Sequence, residues 1–100
     1  MPTLIRMFRA LVKPGMTDEF QAFFLDEALP LVRSQQGMQR ATVGLPSDGN
    51  PNEFLMISEW DSLDSLKIFA GEKWDTAVID PREAHLLEET TVHHYYLYEG

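Results

Sequence analysis

The sequence predicts an α+β domain of ferredoxin-like βαββαβ order, a four-stranded antiparallel sheet with both helices on one face. Three observations lead there. Strand-like runs stand near both ends and in the middle of the chain. Two stretches with apolar residues at three- and four-residue steps lie between them. A dense turn signal, Pro46-Ser47-Asp48-Gly49-Asn50-Pro51, separates the second and third strand-like runs and predicts a hairpin with a long loop.

Taken in order, Thr3 to Val12 is rich in apolar residues and carries charge only at Arg6 and Arg9. Three residues apart, they fall on opposite faces of a strand, so both faces are expected to be partly buried. Lys13-Pro14-Gly15 ends the run, and Thr17 followed by Asp18 and Glu19 predicts an N-cap with first-turn acids that suit the helix dipole. Phe20, Phe23, Phe24, Ala28 and Leu31 supply the apolar stripe. Pro30 predicts a kink or an early end near Leu29, because proline removes one intrahelical bond and crowds the preceding turn. Gly37 reads as the stop, and Met38 to Leu45 as the second strand.

Glu53 to Trp60 reads as the third strand, with Phe54, Met56, Ser58 and Trp60 on one face. Asp61 or Ser62 caps a second helix whose stripe is Leu63, Leu66, Phe69 and Ala70, closed by Gly71. A further helical turn is expected around Trp74, Ala77 and Val78, ended by Asp80-Pro81, and another from Arg82 to Leu87. Thr90 to Tyr98, dense in β-branched and aromatic residues, is the last strand. Such a sheet leaves one face without helices, and its apolar side chains predict a homodimer with two sheets face to face.

Composition narrows the function. The 100 residues carry eight Lys/Arg against sixteen Asp/Glu, a net charge of −8, and no cysteine. One domain, 1–100, is expected. A chain of this size buries roughly two-thirds of its unfolded surface, so a partner subunit would help. The negative charge and scattered cations argue against nucleic acid. Lack of cysteine excludes disulfides, thiolate nucleophiles and Cys-based metal sites. No apolar run approaches the roughly 20 residues that span a bilayer, and the charged start Met1-Pro2-Thr3-Leu4-Ile5-Arg6 does not resemble a secretion signal. A cytoplasmic protein without membrane or nucleic-acid partners is expected. Residues 46–100 hold twelve anions and three cations, which reads as a solvated acidic face.

Arg6 in the first strand, Gly37, Glu53-Phe54 and the run Trp60-Asp61-Ser62-Leu63 leading to Phe69-Ala70-Gly71-Glu72 form an ordered set with Ala77-Val78, Pro81 and Val92-His93-His94-Tyr95. In these residues the chain resembles the antibiotic biosynthesis monooxygenase domain of the dimeric α+β barrel group. The resemblance covers nearly the whole chain. It implies the fold, a homodimer and a pocket between sheet and helices. Such domains include cofactor-free monooxygenases of polyketide phenols and haem-degrading enzymes. Here Phe8 stands where many relatives have Trp, and the first strand lacks the Asn of the haem-degrading branch.

Arg6 shares a strand face with Leu4, Phe8 and Ala10, so it brings a permanent cation into an apolar site. It would hold a substrate phenolate, or pair structurally with Glu72 or Glu27. His93 and His94 are strand neighbours pointing to opposite faces and cannot share a metal. His94, matched by the family pattern, is the candidate base for a phenolic proton; a hydrogen-bonded core histidine is the alternative. Trp60, Trp74, Phe8, Phe54, Phe69 and Tyr96 are candidates for a flat apolar slot suited to an aromatic polycycle, or for plain core. His85, in an irregular stretch, is a further candidate contact. No phosphate loop and no nucleophile elbow occurs.

The leading expectation is a cofactor-independent monooxygenase of a small aromatic or polyketide-like phenol, with His94 as base, Arg6 holding the anion, and neither metal nor cofactor. The alternatives are a non-catalytic, small-ligand-binding or stress-related dimer and, third, a haem-degrading monooxygenase.

Overall fold

The computed structural model describes residues 2–100; Met1, the first residue of the segment read as lacking a secretion signal, lies outside the described residues. Four strands form the sheet: β1 (Leu4–Val12), β2 (Met38–Gly44), β3 (Glu53–Trp60) and β4 (Leu87–Tyr96). Their order is β2-β3-β1-β4, every pair antiparallel. This is the ferredoxin-like arrangement expected from the element order. Arg6 lies opposite Ser58 on β3 and His94 on β4, so the two-residue alternation brings these three side chains to one face.

The first helical rod departs from the expected pattern in instructive ways. It consists of α1 (Thr17–Phe23), a π-helical turn (Phe24–Ala28) and α2 (Leu29–Arg33). Met16, not Thr17, occupies the cap position, and no side chain caps the end. The Thr17 hydroxyl instead donates to Asn52 Oδ1 at 3.1 Å, tying the rod to the β2–β3 loop. In the π turn the Leu29 N–H bonds back to the Phe24 carbonyl, five residues away. The wider turn advances the buried stripe by one residue. Phe20 and Phe24 are buried as expected, but Leu29 and Val32 follow, and Leu31 is 55% exposed. Pro30 ends nothing. It falls at the start of the new α-helical register, where a missing N–H is best tolerated, and the rod runs on to Arg33.

Ser34 caps the rod, so Gly37 is not its stop. Gly37 has φ +84 and turns the chain into β2, its carbonyl accepting from the Asp61 N–H at 2.9 Å. A Cβ there would overlap Ser65 and Asp61. The second helix, α3 (Leu63–Ala70), matches expectation: Ser62 Oγ accepts from the Ser65 N–H at 3.1 Å, and Gly71 follows with φ +85.

Residues 72–86, here the strap, are not helical where helices were expected. Turns replace the helix around Trp74 to Val78, and a three-residue 3₁₀ turn, Ala84–Leu86, replaces the helix from Arg82 to Leu87. Around Trp74 a competing donor is present. Arg6 takes the carbonyls of Trp74 and Thr76, which an α-helix would offer to the N–H groups of residues 78 and 80. The last strand also begins earlier than predicted, at Leu87, and ends at Tyr96.

The core lies between sheet and helices. Phe20, Phe24 and Phe54 form an aromatic triangle with centroids 4.9 to 5.7 Å apart. Trp60 stacks on Phe69 at 5.5 Å, and its indole N–H donates to Ser58 Oγ at 3.0 Å. Full burial of such side chains contributes about 1.5–3 kcal/mol each. On the opposite sheet face, half-buried Met7, Leu11, Leu55 and Ile57 surround Arg9, which bridges Glu53 at 2.9 Å and Glu89 at 3.2 Å. Among the described residues no helix is long and apolar enough to cross a membrane.

Candidate functional site

A cavity of about 180 Å³ opens on the helix side of the sheet. Alternation along β1 and β3 supplies its floor, Arg6, Phe8, Met56 and Ser58. The rod supplies one wall, including Phe23, Glu27 and Leu31. The π turn thus makes Leu31 a cavity residue, although it leaves the buried stripe. Phe69 of α3 and the strap residues Val78, Ile79, Asp80, Arg82 and Glu83 complete the enclosure.

Arg6 is only 4% exposed. Its Nη1 donates to the Trp74 carbonyl at 2.6 Å and to His94 Nε2 at 3.0 Å, and Nη2 donates to the Thr76 carbonyl at 3.1 Å. The structural pair expected with Glu72 or Glu27 does not form; no carboxylate among the described residues is in ion-pair contact with Arg6. Burial pushes its pKa down to about 10, so it stays a cation at neutral pH without an anion to compensate it. Three of its five N–H groups are used in these bonds.

His94 is joined to this cation. Arginine only donates, so Nε2 accepts, and the neutral ring carries its hydrogen on Nδ1. Burial first, then the Arg6 charge, pushes the imidazole pKa below its ordinary value. The Trp74 ring meets it edge-on at 5.0 Å. The lone pair that would take a substrate proton is occupied by Arg6, and His94 does not line the cavity. The geometry places His94 against Arg6 and not on the cavity wall.

The other expected contacts divide. Phe8 and Phe69 line the cavity. Trp60 and Phe54 are fully buried in the core behind it. Trp74 packs edge-on against His94. Tyr96 is 61% exposed, and His85 lies on the surface with Nε2 3.4 Å from Glu19. None of these four side chains, Trp60, Trp74, Tyr96 and His85, lines the cavity.

Sequence reasoning missed Glu83. It is 4% exposed, lines the cavity, and its carboxyl makes no hydrogen bond within the described residues. Burial, reinforced by Asp80 and opposed by Arg82, pushes its pKa up to about 7. Its neighbours are already engaged: Arg82 pairs with Asp80 at 2.9 Å and lies over the Phe23 ring at 5.2 Å. In sequence, Glu83 is one more acid in an acidic half, with no periodicity to mark it.

No cluster of three metal-ligating side chains occurs among the described residues. No histidine lines this cavity, so the lining offers haem iron no imidazole, and its volume lies below the roughly 300 Å³ at which pockets for drug-sized ligands begin. An apolar cavity of about 150 Å³ holds benzene. The space here therefore suits one aromatic ring, smaller than the polycycle expected.

A profile of the antibiotic biosynthesis monooxygenase family matches residues 1–73. The chain matches none of the curated proteins significantly. Among solved structures it is similar to a Shewanella oneidensis protein, SO0527, with TM-score 0.79, 16% identity, and coverage of 96% of this chain and 91% of that one. A Nitrosomonas europaea protein of unknown function gives TM-score 0.75 at 22% identity, covering 100% and 93%. A variant of SnoaB, a cofactor-independent oxygenase from Streptomyces nogalater, gives 0.73 at 18%, covering 100% and 97%. These likenesses establish the fold.

Proposed function

Because this chain belongs to the antibiotic biosynthesis monooxygenase family, we propose that it oxygenates a small, single-ring phenol without a cofactor, working in the cytoplasm as a homodimer joined through the helix-free sheet face. The observation that carries the reading is Arg6: a buried cation on the floor of a largely apolar cavity, fixed by two carbonyls and an imidazole, with no carboxylate partner among the described residues. Such a group stabilises an anion far better than an exposed cation does, because its donors are already oriented and water is largely excluded. The similarity to SnoaB in fold accords with this reading.

The chemistry asks little of the protein. The phenolate of an activated phenol, one whose ring carries further electron-donating substituents, is electron-rich enough to reduce dioxygen itself. One oxygen atom enters the ring to give a quinone, and the other leaves as water. The substrate gives up four electrons and dioxygen accepts them, so neither a metal nor an external reductant is required. Arg6 holds the anion, Phe8 and Phe69 bracket the ring, and the strap limits water.

Oxygen-electrode assays across single-ring phenols, naphthols and anthrone-type compounds test the proposal. Uptake with quinone formation, strongest for the smallest rings, is expected. Tight binding of phenols without any oxygen uptake would instead mark a non-catalytic binding protein.

A further inference from the structure

We infer that Glu83 is the catalytic group that takes the hydroxyl proton of a phenol bound in this cavity. The inference rests on the phenol-binding reading above and goes beyond it by assigning the proton. Arg6 has only donors, so it holds a phenolate but cannot make one. His94 has its acceptor nitrogen filled by Arg6. An acceptor must therefore come from elsewhere on the cavity wall.

Three carboxyls line that wall: Glu27 on the rod, and Asp80 and Glu83 on the strap. Glu27 is exposed to water. Asp80 is held by Arg82, through the backbone N–H at 2.8 Å and the guanidinium at 2.9 to 3.3 Å. Glu83 alone of the three is buried, faces the cavity, and has no donor. None of the described buried side-chain oxygens is sealed off without a partner, so the Glu83 carboxyl keeps access to the cavity, where a ligand O–H can reach it. The charged groups acting on it are Asp80 and Arg82 on its own segment, while Glu27 from the rod and Arg6 from β1 line the same cavity. With a pKa near 7, it is present in both forms at neutral pH, as a group that takes and returns a proton should be.

The step balances. The phenol O–H bond breaks, a Glu83 O–H bond forms, and the electron pair stays on the phenolate oxygen, where Arg6 compensates it. After dioxygen attacks the ring, Glu83 returns its proton to the oxygen atom that leaves as water. The second hydrogen of that water comes from the ring carbon that gained oxygen.

Anaerobic binding of 3-nitrophenol, whose phenolate absorbs visible light, separates proton transfer from oxygenation. The measurement is made above the Glu83 midpoint and below that of the free phenol, in weak buffer with an indicator dye. Wild type is expected to show the phenolate band on binding with no proton released to the dye. Glu83→Gln, of the same shape, should bind within about threefold of wild type yet lose at least about tenfold of the band. Glu83→Asp should restore part of it, and Glu88→Gln on β4 should match wild type. An undiminished band in Glu83→Gln, or one proton released per ligand by wild type, overturns the inference. No binding by wild type overturns both readings; a wild-type band and a Glu83-dependent proton without oxygen uptake on any phenol overturns only the oxygenase.

Discussion

The regular scaffold, residues 4–70 with β4 (Leu87–Tyr96), and the strap, residues 72–86, meet at Arg6 but are built on different physics. The scaffold is held by repeating backbone ladders and by apolar stripes that face one core, with Phe20, Phe24, Phe54, Trp60 and Leu66 all buried. The strap has one short 3₁₀ turn, and two of its carbonyls are held by a side chain from the scaffold. Yet the strap supplies Asp80, Arg82 and Glu83, most of the ionisable groups of the cavity. Order and charge are thus partitioned: the part with the least regular structure carries most of the ionisable groups of the cavity. This agrees with the general tendency of irregular segments on rigid scaffolds to carry function.

Replacing Arg6 breaks the comparison most sharply, because it belongs to both regions. Arg6→Met removes the anion-holding cation and the donors to Trp74 and Thr76 together. Oxygen uptake is expected to fall about 10²–10³-fold. Amide exchange should quicken across residues 72–86 before it does so in the sheet. Arg6→Lys should recover little, since one ammonium cannot reproduce the planar fork that spans two carbonyls and an imidazole.

Gly37→Ala strikes the scaffold alone. The residue would be forced to hold φ +84 and to overlap Ser65 and Asp61. A loss of about 2–3 kcal/mol is expected in denaturant unfolding, with the pH dependence set by the strap intact.

That pH dependence comes next. The Glu83 carboxyl pKa is raised from 4.5 to about 7 on folding. Between these values the native state holds a proton that the unfolded chain has lost, so stability falls as pH rises through that window and is flat above it. The change should be on the order of 2 kcal/mol and absent in Glu83→Gln, which becomes the more stable protein above pH about 7. His94 has the opposite sign. Its lowered pKa supports the fold above the ordinary imidazole value and withdraws that support as pH falls. Urea melts across pH for wild type, Glu83→Gln and His94→Gln separate the two.

The smallest effects lie at the edges of each region. Ser62→Ala removes the cap of α3 and should cost about 1 kcal/mol. His85→Ala removes an exposed contact with Glu19 and should change stability by less than about 0.5 kcal/mol, with no effect on phenol binding.

Legibility in the sequence follows the same division. β3 was readable to the residue, since Phe54, Met56, Ser58 and Trp60 alternate with less buried neighbours. Ser62 and Gly71 bounded α3 by cap chemistry that needs only local residues. Arg6 was legible as a buried cation because it breaks an apolar strand face. The rod was half legible: its apolar stripe was clear up to Phe24, but one π turn moved every later position. In the strap, the helices expected from Trp74, Ala77 and Val78 were prevented by a guanidinium 68 and 70 residues earlier in the chain. Glu83 was invisible because it is one more acid in an acidic half, with no periodicity to mark its burial.

By itself, then, the sequence determined the order and type of the regular elements, the antiparallel sheet, the family, and the presence of one cation on the helix-facing side of the first strand. Periodicity and caps act within a few residues, and those features are written at that range. Only the tertiary structure decided that Arg6 pairs with carbonyls rather than a carboxylate, that His94 spends its lone pair on Arg6, and that Glu83 is buried against the cavity. Each of these depends on contacts between residues distant in the chain. Their charge states are set by what surrounds them, and that surrounding exists only once the strap has closed over the sheet.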